Sequence, residues 1–169
     1  MPSIYVESLA AYNSGLEHGV WIDLSVNDES EVKEEIEQML KSSPVPGEEW
    51  AIHDYDDFYG LEISEGEDIV SLCELAEWFE DNEDKIEAMV AYIECLGGID
   101  QGLRGFDNNY IGEYDDIGVY ASEFCEEMGY LEGLPSFIEQ NIDFDSMGED
   151  FESELTVVYV KNGIAVFNC

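Results

Sequence analysis

One imbalance limits what this chain can fold into. Forty-two aspartates and glutamates face five bases, Lys33, Lys41, Lys85, Arg104 and Lys161, for a net charge of −37 at pH 7. Self-repulsion on that scale opposes compaction. Every segment that folds must therefore turn its carboxylates to water and keep apolar residues on the opposite face. The acids are not gathered into a tail. Residues 1–61 carry 14, residues 62–104 carry 13 and residues 105–169 carry 15. Hydrophobic residues make up 45% of the chain, too many for a disordered polyanion and enough for packed cores. The charge also excludes partners. Nucleic acids and anionic membranes are bound by Lys and Arg that displace counterions, so neither is expected here, and the expected partner is strongly basic.

The cysteines, Cys73, Cys95, Cys125 and Cys169, stand 22, 30 and 44 positions apart. No CxxC pair exists, which removes zinc, iron–sulfur and thioredoxin-like readings. Cys73 and Cys125 fall on apolar helical faces and read as buried thiols of a reducing compartment. MPSIYVESLAAY has neither the basic region nor the apolar run of a signal peptide, and no stretch approaches the roughly 18 apolar residues of a membrane span. A cytoplasmic protein is expected.

The patterning reads as α+β. SIYVESL (3–9) and GVWIDLS (19–25) are β-rich runs joined by a turn at Asn13, Ser14 and Gly15. Asp28 is placed to cap a helix, with Glu31 reaching back and Val32, Ile36, Met39 and Leu40 as its apolar stripe. EEWAIHDY (48–55) reads as a third strand. Two helical stripes follow, one at Ile69, Leu72, Cys73, Ala76 and Phe79, the next at Ile86, Met89, Val90, Ile93 and Leu96. The glycine-rich stretch 98–112 reads as a linker. Ile117, Tyr120, Ala121, Phe124, Cys125 and Met128 form one face of a further helix, and Pro135 opens a short one over 134–142. LTVVYV and IAVFN flank Asn162-Gly163, a type I′ hairpin signal. The expected architecture has three small parts. Residues 1–61 form a small sheet with a helix, 62–104 a helical bundle, and 105–169 helices with a hairpin or sheet.

Two segments invite a chemical reading. AIHDYDDFYG (51–60) sets His53 among Asp54, Asp56 and Asp57. Metal sites need three or four converging ligands, and strand alternation would put His53 with Tyr55 on one face and Asp54 on the other. A structural or surface histidine is the better reading. DFDSMGEDFESE (143–154) has Asp143, Asp145, Gly148 and Glu154 at EF-hand positions, but Met147 stands at a ligand position and the exit is β-like. An acidic connector to the hairpin is the expectation. No P-loop, GxSxG, HExxH or GxGxxG signature is found. The reading is of a non-enzyme with no cofactor and no metal.

What remains is the acid pattern. Glu74, Glu77 and Asp81 recur at helical spacing, as do Glu80, Asp84 and Glu87, and Asp116, Glu123 and Glu127 continue the theme. Carboxylates so placed lie about 5–6 Å apart and destabilise a helix by a few tenths of a kcal/mol per pair. Interspersed bases usually relieve this, and here they are nearly absent. Two copies would carry twice −37, or −74. Duplex DNA holds the same charge in roughly 126 Å, about 37 base pairs. Asp54, Asp56, Asp57, Glu62, Glu67, Asp68, Glu74, Glu77, Glu80, Asp81, Asp84, Glu87, Asp115, Asp116, Glu123, Glu126 and Glu127 are the candidate phosphate-mimicking residues. A halophile-type surface, an acidic module that antagonises some other basic DNA-binding protein, and a divalent-ion buffer share this composition.

IYVESLAAYNSGLEHGVWIDL (4–24), EEWAIHDYDDF (48–58) and DIGVYASEFCEEMGYLEGLPSFIEQNIDFDSMGEDF (116–151) resemble the corresponding blocks of ArdA-type antirestriction proteins. The motifs are Tyr12-Asn13 with Gly15, Gly19 before Trp21, the run Ala51 to Tyr55, and Gly133-Leu134-Pro135 followed by Ile142-Asp143. The resemblance implies an elongated three-domain DNA mimic, carried by mobile elements and dimeric through its C-terminal part. It implies inhibition of type I restriction–modification enzymes by filling the DNA groove of the methyltransferase–specificity core. Phe144 and Glu149 depart from the family pattern, where a tyrosine and a basic residue are expected. Both changes keep or raise the acidity.

Overall fold

The computed structural model describes residues 1–168, so Cys169 lies outside the described residues. The chain is α+β, and the described residues form eight α-helices and two three-stranded antiparallel sheets. It divides into two compact units, 1–86 with 98–103, and 87–97 with the chain from Arg104 onward.

In the first unit, β1 (Ser3–Ser8) is the central strand between β2 (Gly19–Asp23) and β3 (Trp50–Asp56). Ile4 and Val6 alternate into the core, where they meet Ile22, Val32, Ile36 and Ile52. A short helix, α1 (Leu9–Asn13), follows β1 directly, capped by the Ser8 hydroxyl. Sequence patterning had only a turn there. The expected capping box of α2 (Glu29–Ser42) is present. The Asp28 carboxylate accepts from the Ser30 and Glu31 amides at 2.8 and 2.9 Å, and the Glu31 carboxylate accepts from the Asp28 amide at 3.0 Å. α3 (Ile69–Asp81) is capped by Asp68 and buries Ile69, Leu72, Leu75, Ala76 and Phe79.

The second unit has α4 (Ile86–Leu96), part of α5 (Ile99–Asn109), β4 (Tyr110–Tyr114), α6 (Ile117–Glu127), α7 (Ser136–Glu139), α8 (Phe144–Phe151), β5 (Leu155–Val160) and β6 (Gly163–Asn168). Its sheet runs β4-β6-β5. Adjacent residues of β6 serve opposite faces. Phe167 stacks on Tyr92 of α4 with ring centroids 4.0 Å apart, and also meets Phe106 of α5. Val166 and Ile164 pack with Tyr120 of α6 and, around it, Phe124, Phe151, Leu155 and Val157. Gly148 lets α8 close on α6, since a Cβ there would stand 2.6 Å from the Ile117 carbonyl oxygen.

Several expectations are corrected. The supposed linker 98–112 is α5 and β4. Ile99, Leu103, Phe106 and Tyr110 recur at four, three and four positions, a helical stripe that the glycines obscured. The acidic connector 143–154 is mostly α8, with the Asp143 carboxylate accepting from the Ser146 amide at 3.1 Å as its cap, so no calcium loop is formed. The hairpin joins β5 and β6 through Lys161-Asn162, and neither has the positive φ that a type I′ turn demands. Gly163 alone carries it, at 141°. Leu96 and Met128, placed on apolar faces, lie at helix ends and are exposed. Of the expected buried thiols, Cys125 is buried and Cys73 only half-buried.

Candidate acidic interaction surface

The carboxylates are outside. Thirty-six of the 42 are exposed, five (Asp23, Glu29, Glu35, Glu67 and Asp100) are half-buried, and Glu7 is buried. Among the 17 candidate acids, Glu67 is the one that is not fully exposed. Lys33 pairs with Glu29 and Lys41 with Glu37, both one turn apart on α2. Neither involves a candidate acid.

The candidates divide by what else they do. Asp68 and Asp116 cap α3 and α6, accepting from Ser71 and Val119 amides at 3.1 and 2.9 Å. Asp57 receives the N-terminal amine and sits at φ 61°, a strained value for a non-glycine residue. Asp54 and Asp56 each accept from the next residue's amide at 2.9 Å. Glu67 accepts from the Ser64 hydroxyl, and Glu87 from the Lys161 amide at 3.0 Å. Glu74, Glu77, Glu80 and Asp81 are all exposed, so helix α3 carries four carboxylates on its outer side. The expected row Glu80, Asp84, Glu87 is broken. These residues lie on α3, a single 3-10 turn (Glu83–Lys85) and α4, because the helix stops at Asn82 with φ −134° and ψ 48°.

Packing adds acids that spacing along the sequence could not group. A groove of about 500 Å³ in the first unit has Asp28, Glu29 and Glu31 of the α2 start on one wall and Glu74, Glu77 and Glu80 of α3 on the other. Cys73 lies in it. Burial, then the nearby Glu29 and Asp28 carboxylates, push its thiol up from 9.0 to about 11.

His53 belongs to another arrangement. It is the extra residue of a β-bulge, because Tyr5 pairs with Asp54 and Val6 with Ile52, and the simple strand alternation expected there fails. Its Nδ1–H donates to Glu7 Oε2 at 2.7 Å, and Tyr12 meets its ring edge-on at 4.6 Å. The other Glu7 oxygen accepts from the His18 amide at 3.1 Å. The His18 ring donates from Nε2 to the Met39 carbonyl at 2.8 Å. Both histidines therefore hold elements together, while Asp54, Asp56 and Asp57 are exposed. Among the described residues no cluster of three or more His, Cys, Asp or Glu side chains is arranged to hold a metal ion.

The sequence profile of the family described as Antirestriction protein (ArdA) matches residues 4–166. The chain belongs to the ArdA family. That match spans nearly the whole length, so both units fall inside it. No match was found among curated proteins. The chain is thus an antirestriction protein, and ArdA membership implies a restriction–modification enzyme as partner and an inhibitor in place of a catalyst. Among the described residues no helix is long and apolar enough to cross a membrane.

Proposed function

We propose that this ArdA protein inhibits type I restriction–modification enzymes by mimicking DNA. Its carboxylates occupy the groove of the methyltransferase–specificity core and displace the duplex. The observation that carries this reading is the exposure of 36 of 42 acids with almost no compensating base. A field of that kind steers a basic cleft from a distance and releases counterions on contact, the same physics that drives the cleft onto duplex DNA. Glu74, Glu77, Glu80 and Asp81 are the strongest individual candidates, because one helix presents all four to water. The proposal includes an elongated three-part organisation over 1–61, 62–104 and 105–169, a homodimer formed through the last part, a mobile-element origin and action in the cytoplasm.

The test is competition. A purified type I methyltransferase is loaded with labelled duplex and titrated with the protein, and a helix-turn-helix repressor on its operator serves as control. Displacement from the methyltransferase alone is the expected result. Equal displacement from both would support a general antagonist of basic DNA-binding proteins. Displacement from neither, with full solubility only in concentrated salt, would support a halophile-type surface.

A further inference from the structure

Two three-stranded sheets have four edge strands, and an unprotected edge invites pairing with another chain. Three of the four are guarded by charge. β2 carries Asp23, β3 carries Asp54 and Asp56, and β4 carries Glu113. The fourth, β5, reads LTVVYV and carries none. It opens the longest acid-free run of the chain, the 15 residues 155–169. In a polyanion with 42 acids this is the one edge where backbone can meet backbone without setting carboxylate against carboxylate.

We propose that β5 is the edge on which a second copy of this chain adds, antiparallel strand to antiparallel strand, joining two three-stranded sheets into one of six. This rests on the homodimer of the reading above and names where it forms. Three observations specify the occupant. Helices pack on both faces of the sheet at its central strand, α4 and α5 against Phe167 and α6 against Ile164 and Val166, which leaves the β5 side open. Tyr159, next to the last residue of the strand, is 83% exposed, the highest exposure of any large hydrophobic residue described. Finally, the ends are complementary in charge. Glu152 and Glu154 precede the strand and Lys161 follows it. A twofold antiparallel pairing centred on β5 brings Lys161 of each copy beside Glu154 of the other, whereas a parallel pairing would stack like charge on like. The pairing is isologous and closed, so it stops at two copies.

The oligomeric state of the full chain is measured by light scattering over a range of concentrations, for the natural protein and for Tyr159→Asp, Phe137→Asp, Lys161→Glu and the swap Lys161→Glu with Glu154→Lys. All four positions are exposed, and circular dichroism confirms folding. The expected result is a dimer weakened about tenfold or more by Tyr159→Asp and by Lys161→Glu, restored in large part by the swap, and unmoved by Phe137→Asp. Concentration-dependent slowing of amide exchange within 155–160 accompanies it. A natural protein that is monomeric throughout, or a dimer broken by Phe137→Asp and not by Tyr159→Asp, overturns the proposal. Either result leaves the competition experiment free to succeed, so failure of the edge and failure of mimicry are read separately.

Discussion

Glu7 is the residue on which the first unit turns. It is the one buried acid in the chain, and both of its oxygens are occupied, by the His53 ring and the His18 amide. A carboxylate so placed ties β1 to β3 and to the start of β2. Glutamine keeps only one oxygen, so one of the two donors would face an amide NH2 in place of an acceptor. Glu7→Gln is therefore expected to lower the unfolding free energy by about 1–3 kcal/mol in urea titration. Inhibition per folded molecule should not change, since the group never reaches the surface. Cys73 supports a second prediction at this scale. Its thiol is held protonated in the folded state up to about pH 11, against 9.0 as its ordinary value. The folded state thus binds the proton more tightly. The stability this contributes is whole below pH 9 and is lost as pH rises toward 11. At pH 8 alkylation should label exposed Cys95 well before Cys73, as peptide mapping would read.

At the scale of elements, several acids serve both the helix and the surface. Asparagine caps as well as aspartate but carries no charge. Asp68→Asn and Asp116→Asn should leave the melting temperature nearly unchanged, while the alanine variants should cost about 1 kcal/mol each. Any loss of inhibition in the asparagine variants then reports charge alone. Helix α3 answers the converse question. Glu77 stands three residues from Glu74 and Glu80 and four from Asp81. Glu77→Lys replaces three repulsions by three attractions and should stabilise the protein by roughly 0.5–1 kcal/mol, while weakening competition with DNA. A change that improves folding and harms inhibition is the mark of charge kept for a partner. At the hairpin, Gly163→Ala is expected to cost several times more than a surface change. Its Cβ would stand 2.1 Å from the Tyr114 carbonyl oxygen, at φ 141°.

For the whole molecule the net charge governs behaviour. Raising salt from about 10 to 150 mM shortens the screening length from about 30 to 8 Å, so the isolated protein should melt higher. The same salt should weaken its hold on a basic cleft. Calorimetry and competition at matched ionic strengths check the two opposite slopes. Neutralising one acid of α3 should move inhibition little, because the field is a sum over dozens of charges. Neutralising Glu74, Glu77, Glu80 and Asp81 together should weaken it clearly.

The charge, its even spread, the capping box at Asp28, the apolar stripes of α2, α3 and α6 and the final hairpin were legible in the sequence, because each is local. A cap needs a handful of residues and a stripe about three turns, all within one element. The glycines of 98–112 hid α5, since glycine weakens a helix alone but tolerates one that Phe106 anchors against Tyr92 and Phe167. Only tertiary structure could assign His53, whose partner Glu7 lies 46 residues away across a bulge. The same holds for the facing walls of acids from α2 and α3, and for β5 as an edge. Strand order and register are settled by which apolar faces find one another, and no short window of residues contains that choice.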